Sequence, residues 1–348
     1  MNSEKDLKNK TLEEIEDIVL ELGSKKYLAK YIFSFIHAKS ADNIDEITTL
    51  SKDFRTKLAG EGFYISALKT VEKHTDDDGT VKYLFELAGG ARIESVILTS
   101  KDRKTLCISC QAGCRMGCVF CATARLKFRR NLTCAEIVDQ VNKVAADIGE
   151  INNVVYMGMG EPLDNYDEVT RSLRILNHHA GKNIGARHLT ISTCGIPDQI
   201  IRFADEKLQV HLAISLHSTN DRKRAELMGA ARKYPLKKLM QAIRKYQEIT
   251  NRRVMFVYCM IKGVNDTDAN ARAIIKLLKG INANVNLIEY NPHPGCHFEP
   301  STSDRFQAFF DILMQAGIET TARYKRGQSI KAACGQLGAT WPEYNAKI

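Results

Sequence analysis

Three cysteines carry the strongest chemical signal in the chain. Cys114-Arg-Met-Gly-Cys118-Val-Phe-Cys121 has the spacing C-x3-C-x2-C. Three thiolates on one tight loop can each hold an iron of a 4Fe–4S cube, and the fourth iron then keeps an open position for a substrate. A structural zinc site is the alternative. It needs a fourth Cys or His, and Cys107 or Cys110 could supply one. Phe120 before the third cysteine, and a loop between a strand and a helix, favour the cluster.

Other candidates are weaker alone. Met157-Gly-Met-Gly-Glu161 follows a predicted strand; its glycines, Gly160 among them, permit close approach of a ligand, and Glu161 offers an acceptor. Ser192, Ser215-Leu216-His217 and Asn291 fall at the ends of predicted strands, where barrel sites form. Read without context, Cys334 is a small buried hydrophobe and Glu94 an exposed strand carboxylate.

The elements that would position these residues follow from periodicity. Leu12, Ile15, Ile18 and Val19, then Leu28, Tyr31, Ile32, Phe35 and Ile36, recur at helical spacing, and Thr11 with Glu14 fits a capping box. Residues 63–100 change to period two. Lys82–Leu87 and Ile93–Leu98 flank Gly89-Gly90 as a hairpin, and Asp76–Gly79 is a second turn. From 104 onward strands alternate with helices. The predicted strands are 104–109, 153–158, 187–192, 209–215, 253–260 and 284–290. The predicted helices are 133–147, 165–178, 196–204, 235–248, 267–279 and 303–316. Six such units imply right-handed βαβ crossovers, and suit an incomplete (β/α)6 barrel better than a closed one; a doubly wound sheet is the alternative. The expected divisions are a helical module at 1–62, a β extension at 63–103, the partial barrel at 104–322 and a C-terminal segment at 323–348.

With 44% hydrophobic and 26% charged residues, the chain is neither disordered nor collagenous. No apolar stretch reaches membrane-spanning length, and the polar start predicts no secretory signal, so a cytoplasmic protein is expected. Five of the ten cysteines lie between 107 and 121, which points to metal or redox chemistry rather than a disulfide scaffold. Residues 101–130 hold eight basic side chains against Asp102 alone, and Arg323, Lys325, Arg326 and Lys331 add charge near Cys334. Such a concentration either attracts a polyanion, RNA above all, or is a solvated surface.

Taken together, the ordered motifs make a resemblance. Glu94, Cys107-Ile-Ser-Cys-Gln111, the cysteine triplet with Ala122-Thr123, Arg130-Asn-Leu-Thr133, Met157–Leu163, Ser215–His217, Asn291-Pro292 and Ala332-Ala-Cys-Gly-Gln-Leu337 resemble the RlmN family of radical S-adenosylmethionine enzymes, over roughly the whole chain. The N-terminal helices are similar to that family's RNA-contacting domain.

The resemblance implies S-adenosylmethionine on the open iron of a 4Fe–4S cluster held by Cys114, Cys118 and Cys121. Gly160, Glu161, Ser192, Ser215, Leu216, His217 and Asn291 are then cofactor-binding residues. It further implies Cys334 as methyl carrier, Cys107 as resolving cysteine and Glu94 as proton acceptor. The implied reaction is methylation of adenosine C2 in 23S rRNA, at adenosine 2503, and in tRNA, at adenosine 37. The implied protein is a monomer served by an electron donor such as flavodoxin or ferredoxin. Methylation at C8, as in the related Cfr enzymes, is the near alternative; Pro162 and Ala124 look more like the C2 enzymes. A zinc-bound, non-catalytic RNA-binding protein is the distant one.

Overall fold

The computed structural model describes residues 3–101, 103–323 and 325–341. Residue 324 and the end of the expected C-terminal segment, 342–348, lie outside the described residues.

Three helices come first: α1 (Leu12–Glu21), α2 (Leu28–His37) and α3 (Lys52–Gly60). The capping box of α1 forms in both directions: Thr11 Oγ1 accepts from the Glu14 amide, and Glu14 Oε2 accepts from the Thr11 amide at 2.8 Å. The chain then becomes a meander, β1 (Lys69–Thr75), β2 (Val81–Glu86), β3 (Arg92–Ser100) and β4 (Arg103–Cys107), paired antiparallel throughout. A small ribbon, β5 (Gln111–Ala112) with β6 (Arg130–Asn131), brackets the cysteine loop.

Strand–helix alternation follows: α4 (Cys134–Ile148), β7 (Asn153–Tyr156), α5 (Tyr166–Asn177), β8 (Leu189–Thr193), α6 (Pro197–Asp205), β9 (His211–Ser215), α7 (Asp221–Leu227), α8 (Leu236–Thr250), β10 (Val254–Met260), α9 (Asp268–Leu278), β11 (Ala283–Glu289), α10 (Ser303–Gln315) and β12 (Thr320–Arg323). One sheet of ten strands runs β1-β2-β3-β4-β7-β8-β9-β10-β11-β12. From β4 to β12 every pairing is parallel. The partial (β/α)6 barrel is therefore present, with α7 as a helix that the periodicity did not predict and two differences in the main sheet. β12 adds a seventh parallel strand beside β11. The β extension is the antiparallel flank of the same sheet, because β4 pairs with β3 on one side and β7 on the other.

The N-terminal helices are docked on the outside of α4 and α5. Lys8, fully buried, pairs with buried Asp139 of α4; Asn9 accepts from the Ala135 amide; Arg171 of α5 pairs with Glu14; and Asn142 donates to the Ile36 carbonyl at 3.1 Å. A charge buried to this degree is tolerable only when paired. This contact therefore sets the module in one orientation.

Candidate active site

Parallel strands deliver their C-terminal ends to one mouth of the barrel, and the candidate residues collect there. A pocket of about 170 Å³ is walled on one side by Cys114, Cys118 and Cys121 and on the other by Gly160, Glu161, Ser192, Ser215 and His217. A larger cavity of about 400 Å³ adjoins it, with Val96, Leu98, Val155 and Ile288 as apolar walls and Arg103, Arg323, Lys325 and Arg326 at its border. Both are lined by Cys121, Thr123, Met157, Gly158, Ile288, Cys334 and Gly335, so Cys334 stands at the seam. Cys107 lines the larger cavity with it.

The cysteine loop is held from beneath. Val119 donates to the Leu227 carbonyl at 3.0 Å, Gly229 to Gly117 at 3.1 Å and Ala230 to Met116 at 2.9 Å, which ties the loop to the end of α7. Under this contact lies Arg224, fully buried. It donates to the carbonyls of Cys194 (2.6 Å), Ser215, Leu216 and Tyr234 (each 3.2 Å), and so binds the ends of β8 and β9 together. Nothing in the Asp221–Leu227 sequence, which reads as a solvated charged helix, announces this.

Burial raises the pKa of all three thiols, that of Cys114 to about 12, so loading a metal must release protons. Among the described residues no three His, Cys, Asp or Glu side chains are grouped to hold one metal ion. A cube needs no such convergence, since each thiolate meets a different iron. Three thiols on one loop, facing an open pocket, fit a cluster with one free corner. A closed single-ion site does not fit.

The opposite wall is built for a small polar ligand. Gly160 has φ +105°, and a Cβ there would lie 2.6 Å from the Gln111 side chain, so only glycine lets the backbone line the pocket. Glu161 is buried. Its Oε1 accepts from the Leu163 amide at 3.0 Å and its Oε2 from the Cys194 amide at 2.7 Å. Burial nonetheless raises its pKa. A cationic amine in the pocket would restore the carboxylate to its charged form. Burial pushes His217 down to about 3, and its Nδ1 accepts from the Cys259 amide at 3.0 Å, so the ring is neutral with its proton on Nε2.

Three expected residues sit differently. Leu216 is fully buried and lines neither cavity; its amide donates to the Val257 carbonyl, so it serves the sheet. Asn291 lines the larger cavity, but its amide is turned to the loop that bears Cys334. Its Nδ2 donates to the Cys334 carbonyl at 3.2 Å, and its Oδ1 accepts from Gln328. Glu94 is 2% exposed and lines neither cavity, so it is not the exposed carboxylate of the isolated reading. Part of the basic block is also engaged within the protein: Arg130 with Glu136, Lys104 with the Ile148 carbonyl, Lys325 with Glu289 and Arg326 with the Thr99 carbonyl.

Two further thiols line the inner pocket, Cys194 after β8 and Cys259 in β10. Their positions near strand C-termini were the available signal. The loop that bears Cys334 is bonded directly to the cysteine loop: Ala122 donates to the Gly335 carbonyl at 2.7 Å, and Thr123 Oγ1 to the Leu337 carbonyl at 3.0 Å. Burial lifts the Cys107 thiol to about 12, with Cys334 adding to the effect and Arg323 opposing it.

Known proteins resemble the chain over most of its length. Residues 108–273 match the model of the radical SAM superfamily, and residues 5–62 that of the ribosomal RNA large subunit methyltransferase N-terminal domain. A probable dual-specificity RNA methyltransferase RlmN of Thermoanaerobacter sp. (strain X514) is 45% identical over 332 residues, covering 95% of this chain and 97% of its own. One from Staphylococcus carnosus (strain TM300) is 43% identical over 331 residues, covering 94% and 91%. The crystal structure of a radical SAM methyltransferase from Sphaerobacter thermophilus superposes with a TM-score of 0.91 at 43% identity, covering 96% of this chain and 99% of that one. The chain therefore belongs to the RlmN family of radical S-adenosylmethionine RNA methyltransferases, whose cofactors are a 4Fe–4S cluster and S-adenosylmethionine.

Proposed function

We propose that this protein methylates C2 of adenosine in RNA, with adenosine 2503 of 23S rRNA and adenosine 37 of tRNA as targets, through a methyl group carried on Cys334. One observation carries the reading. Cys334 stands between the pocket walled by three cysteines and a basic-bordered cavity large enough for a nucleobase, and Cys107 shares that cavity.

The substrate explains why such an arrangement is needed. C2 of adenine is electrophilic and its C–H is not acidic, so a polar methyl transfer has no nucleophile. Cys114, Cys118 and Cys121 would hold the cluster, which with S-adenosylmethionine bound would supply the one-electron chemistry for hydrogen-atom abstraction. The chain's own residues do the rest. Cys334 takes a methyl group from one S-adenosylmethionine, and the S-methyl group gives up a hydrogen atom when a second is consumed. The resulting methylene radical adds to C2. The adduct gives its C2 proton to Glu94 and one electron to the oxidised flavodoxin- or ferredoxin-class partner, which restores the aromatic ring. Cys107 attacks the Cys334 sulfur as a thiolate; the carbon–sulfur bond breaks with its electron pair on the methylene carbon, that carbon takes a proton to become the methyl group of the product, and a Cys107–Cys334 disulfide is left. Arg323, a cation that lowers the Cys107 pKa, favours that thiolate.

Apolar Val96, Leu98, Val155 and Ile288 keep water from the reacting carbon, while Arg103 and Arg323 face the phosphates of an unstacked nucleotide. The enzyme works as a cytoplasmic monomer reduced by a flavodoxin or ferredoxin. No helix among the described residues is long and apolar enough to cross a membrane.

Nucleoside mass spectrometry after incubating the anaerobically reconstituted protein with unmodified rRNA and tRNA tests the proposal. 2-Methyladenosine is expected; 8-methyladenosine would move the chain to the C8 chemistry. A colourless protein with one zinc and no methylated product would leave only the binder.

A further inference from the structure

Side chains alternate along β3, so Glu94, Val96 and Leu98 share one face. Val96 and Leu98 wall the larger cavity, whereas Glu94 sits one step beyond it under a cover of its own. Its Oε1 accepts from the indole N–H of Trp341 at 3.0 Å and lies 3.3 Å from Lys82 Nζ. Its Oε2 accepts from the Gly338 amide at 2.8 Å. Lys82 is 3% exposed and Trp341 9%. Two of these three partners, Gly338 and Trp341, belong to the segment that carries Cys334, and together they cap both carboxylate oxygens.

The other end of that segment is also tethered. Asp78 accepts from the Gly327 amide and Asp76 from the Ser329 amide, both at 2.9 Å. A carboxylate with a buried cation and two N–H donors is fully satisfied, and will not surrender them without a replacement.

We propose that Trp341 and Lys82 are positioning residues for Glu94. Lys82 fixes the carboxylate on the sheet. Trp341 withholds it from the cavity until RNA lifts the segment after Cys334, and so brings the proton acceptor and the methyl carrier into play in one movement. The inference rests on the reading of Glu94 as the acceptor in RNA methylation. Because entry of the nucleotide must break the Trp341–Glu94 bond, part of the binding free energy is spent on opening, and removing the indole N–H returns it to affinity.

Trp341 is the only tryptophan in the chain, so its emission reports on the contact alone. The test uses full-length protein, an in-vitro-transcribed unmodified tRNA as probe, anisotropy of the labelled tRNA to measure binding, and tryptophan emission with acrylamide quenching on the same samples. At saturating tRNA, a red shift and a change in quenching are expected. Trp341→Phe, which keeps an aromatic ring without the N–H, should bind the tRNA about tenfold more tightly. A packing role alone would leave affinity equal or lower it. Saturated binding with unchanged emission, or W341F binding no more tightly than the parent, overturns the inference and leaves the methylation reading standing. Should W341F fail to fold, the emission of the unmodified protein decides. If the tRNA does not bind at all, the RNA reading falls and the inference with it.

Discussion

Replacing Arg224 tests whether the floor of the cysteine loop is built as described. Four bonds leave this guanidinium for carbonyls at the ends of β8 and β9 and before α8. At about 1.5 kcal/mol for each bond from a charged donor, the gross gain is about 6 kcal/mol. Much of it is offset by keeping a cation away from water, and burial lowers its pKa accordingly. Arg224→Met removes the gain and the offset together, but leaves the carbonyls of Cys194 and Tyr234 short of donors, at about 1–3 kcal/mol each. The expected loss is about 4 kcal/mol. Arg224→Lys, a point charge in place of a planar fork, should lose about half of that. Guanidinium unfolding of the metal-free protein, followed by circular dichroism, measures both. Iron bound per chain after anaerobic reconstitution should fall in the same order, because the loop holding Cys118 rests on this floor. An R224M protein within about 1 kcal/mol of the parent, with full iron content, would refute the reasoning.

Three further outcomes follow from the same geometry. Lys8→Met leaves Asp139 buried and unpaired and should cost about 3–5 kcal/mol in unfolding free energy. K8M/D139L should recover most of it, because burial raises the Asp139 pKa even against Lys8. His37 is fully buried with neither ring nitrogen hydrogen-bonded, and burial, then Lys8 and Lys182, hold its pKa well below 6.5. The unfolded chain takes up this proton below pH 6.5 and the folded chain does not. Its contribution to stability is therefore complete above pH 6.5 and lost as pH falls, by up to about 1.4 kcal/mol per pH unit, a slope that His37→Phe should reduce in unfolding measured against pH. Cys334→Ala should keep its iron and lose methyl transfer, whereas Cys118→Ala should lose the iron; loss of iron from C334A would make Cys334 a ligand.

Much of the scaffold could be read from periodicity, because its strands are apolar runs and its helices are amphipathic. The expectation of 253–260 met β10 at Val254–Met260, and 303–316 met α10 at Ser303–Gln315. β12 escaped because Thr-Thr-Ala-Arg is short and carries no apolar alternation; only its pairing with β11 makes it a strand. The cysteine triplet was legible because its ligands are close in sequence. Lys8 and Arg224 were not, since each stands among other charged residues that do face water, and burial is decided by partners far along the chain. The cover over Glu94 is the extreme case: its tryptophan lies 247 residues away. Leu216 shows the converse, since being next to site residues in sequence gave it no place in the pocket; it follows the last residue of β9 and packs into the core, while Ser215 and His217 line the pocket.

The central claim is that three cysteines on one loop support reductive cleavage of a sulfonium so that Cys334 can deliver carbon to RNA. The most direct measurement is 5′-deoxyadenosine released by the anaerobically reconstituted protein given dithionite, S-adenosylmethionine and unmodified tRNA. The account predicts its formation together with methylated adenosine, and its absence from C118A. An iron-loaded parent protein that releases none would contradict it.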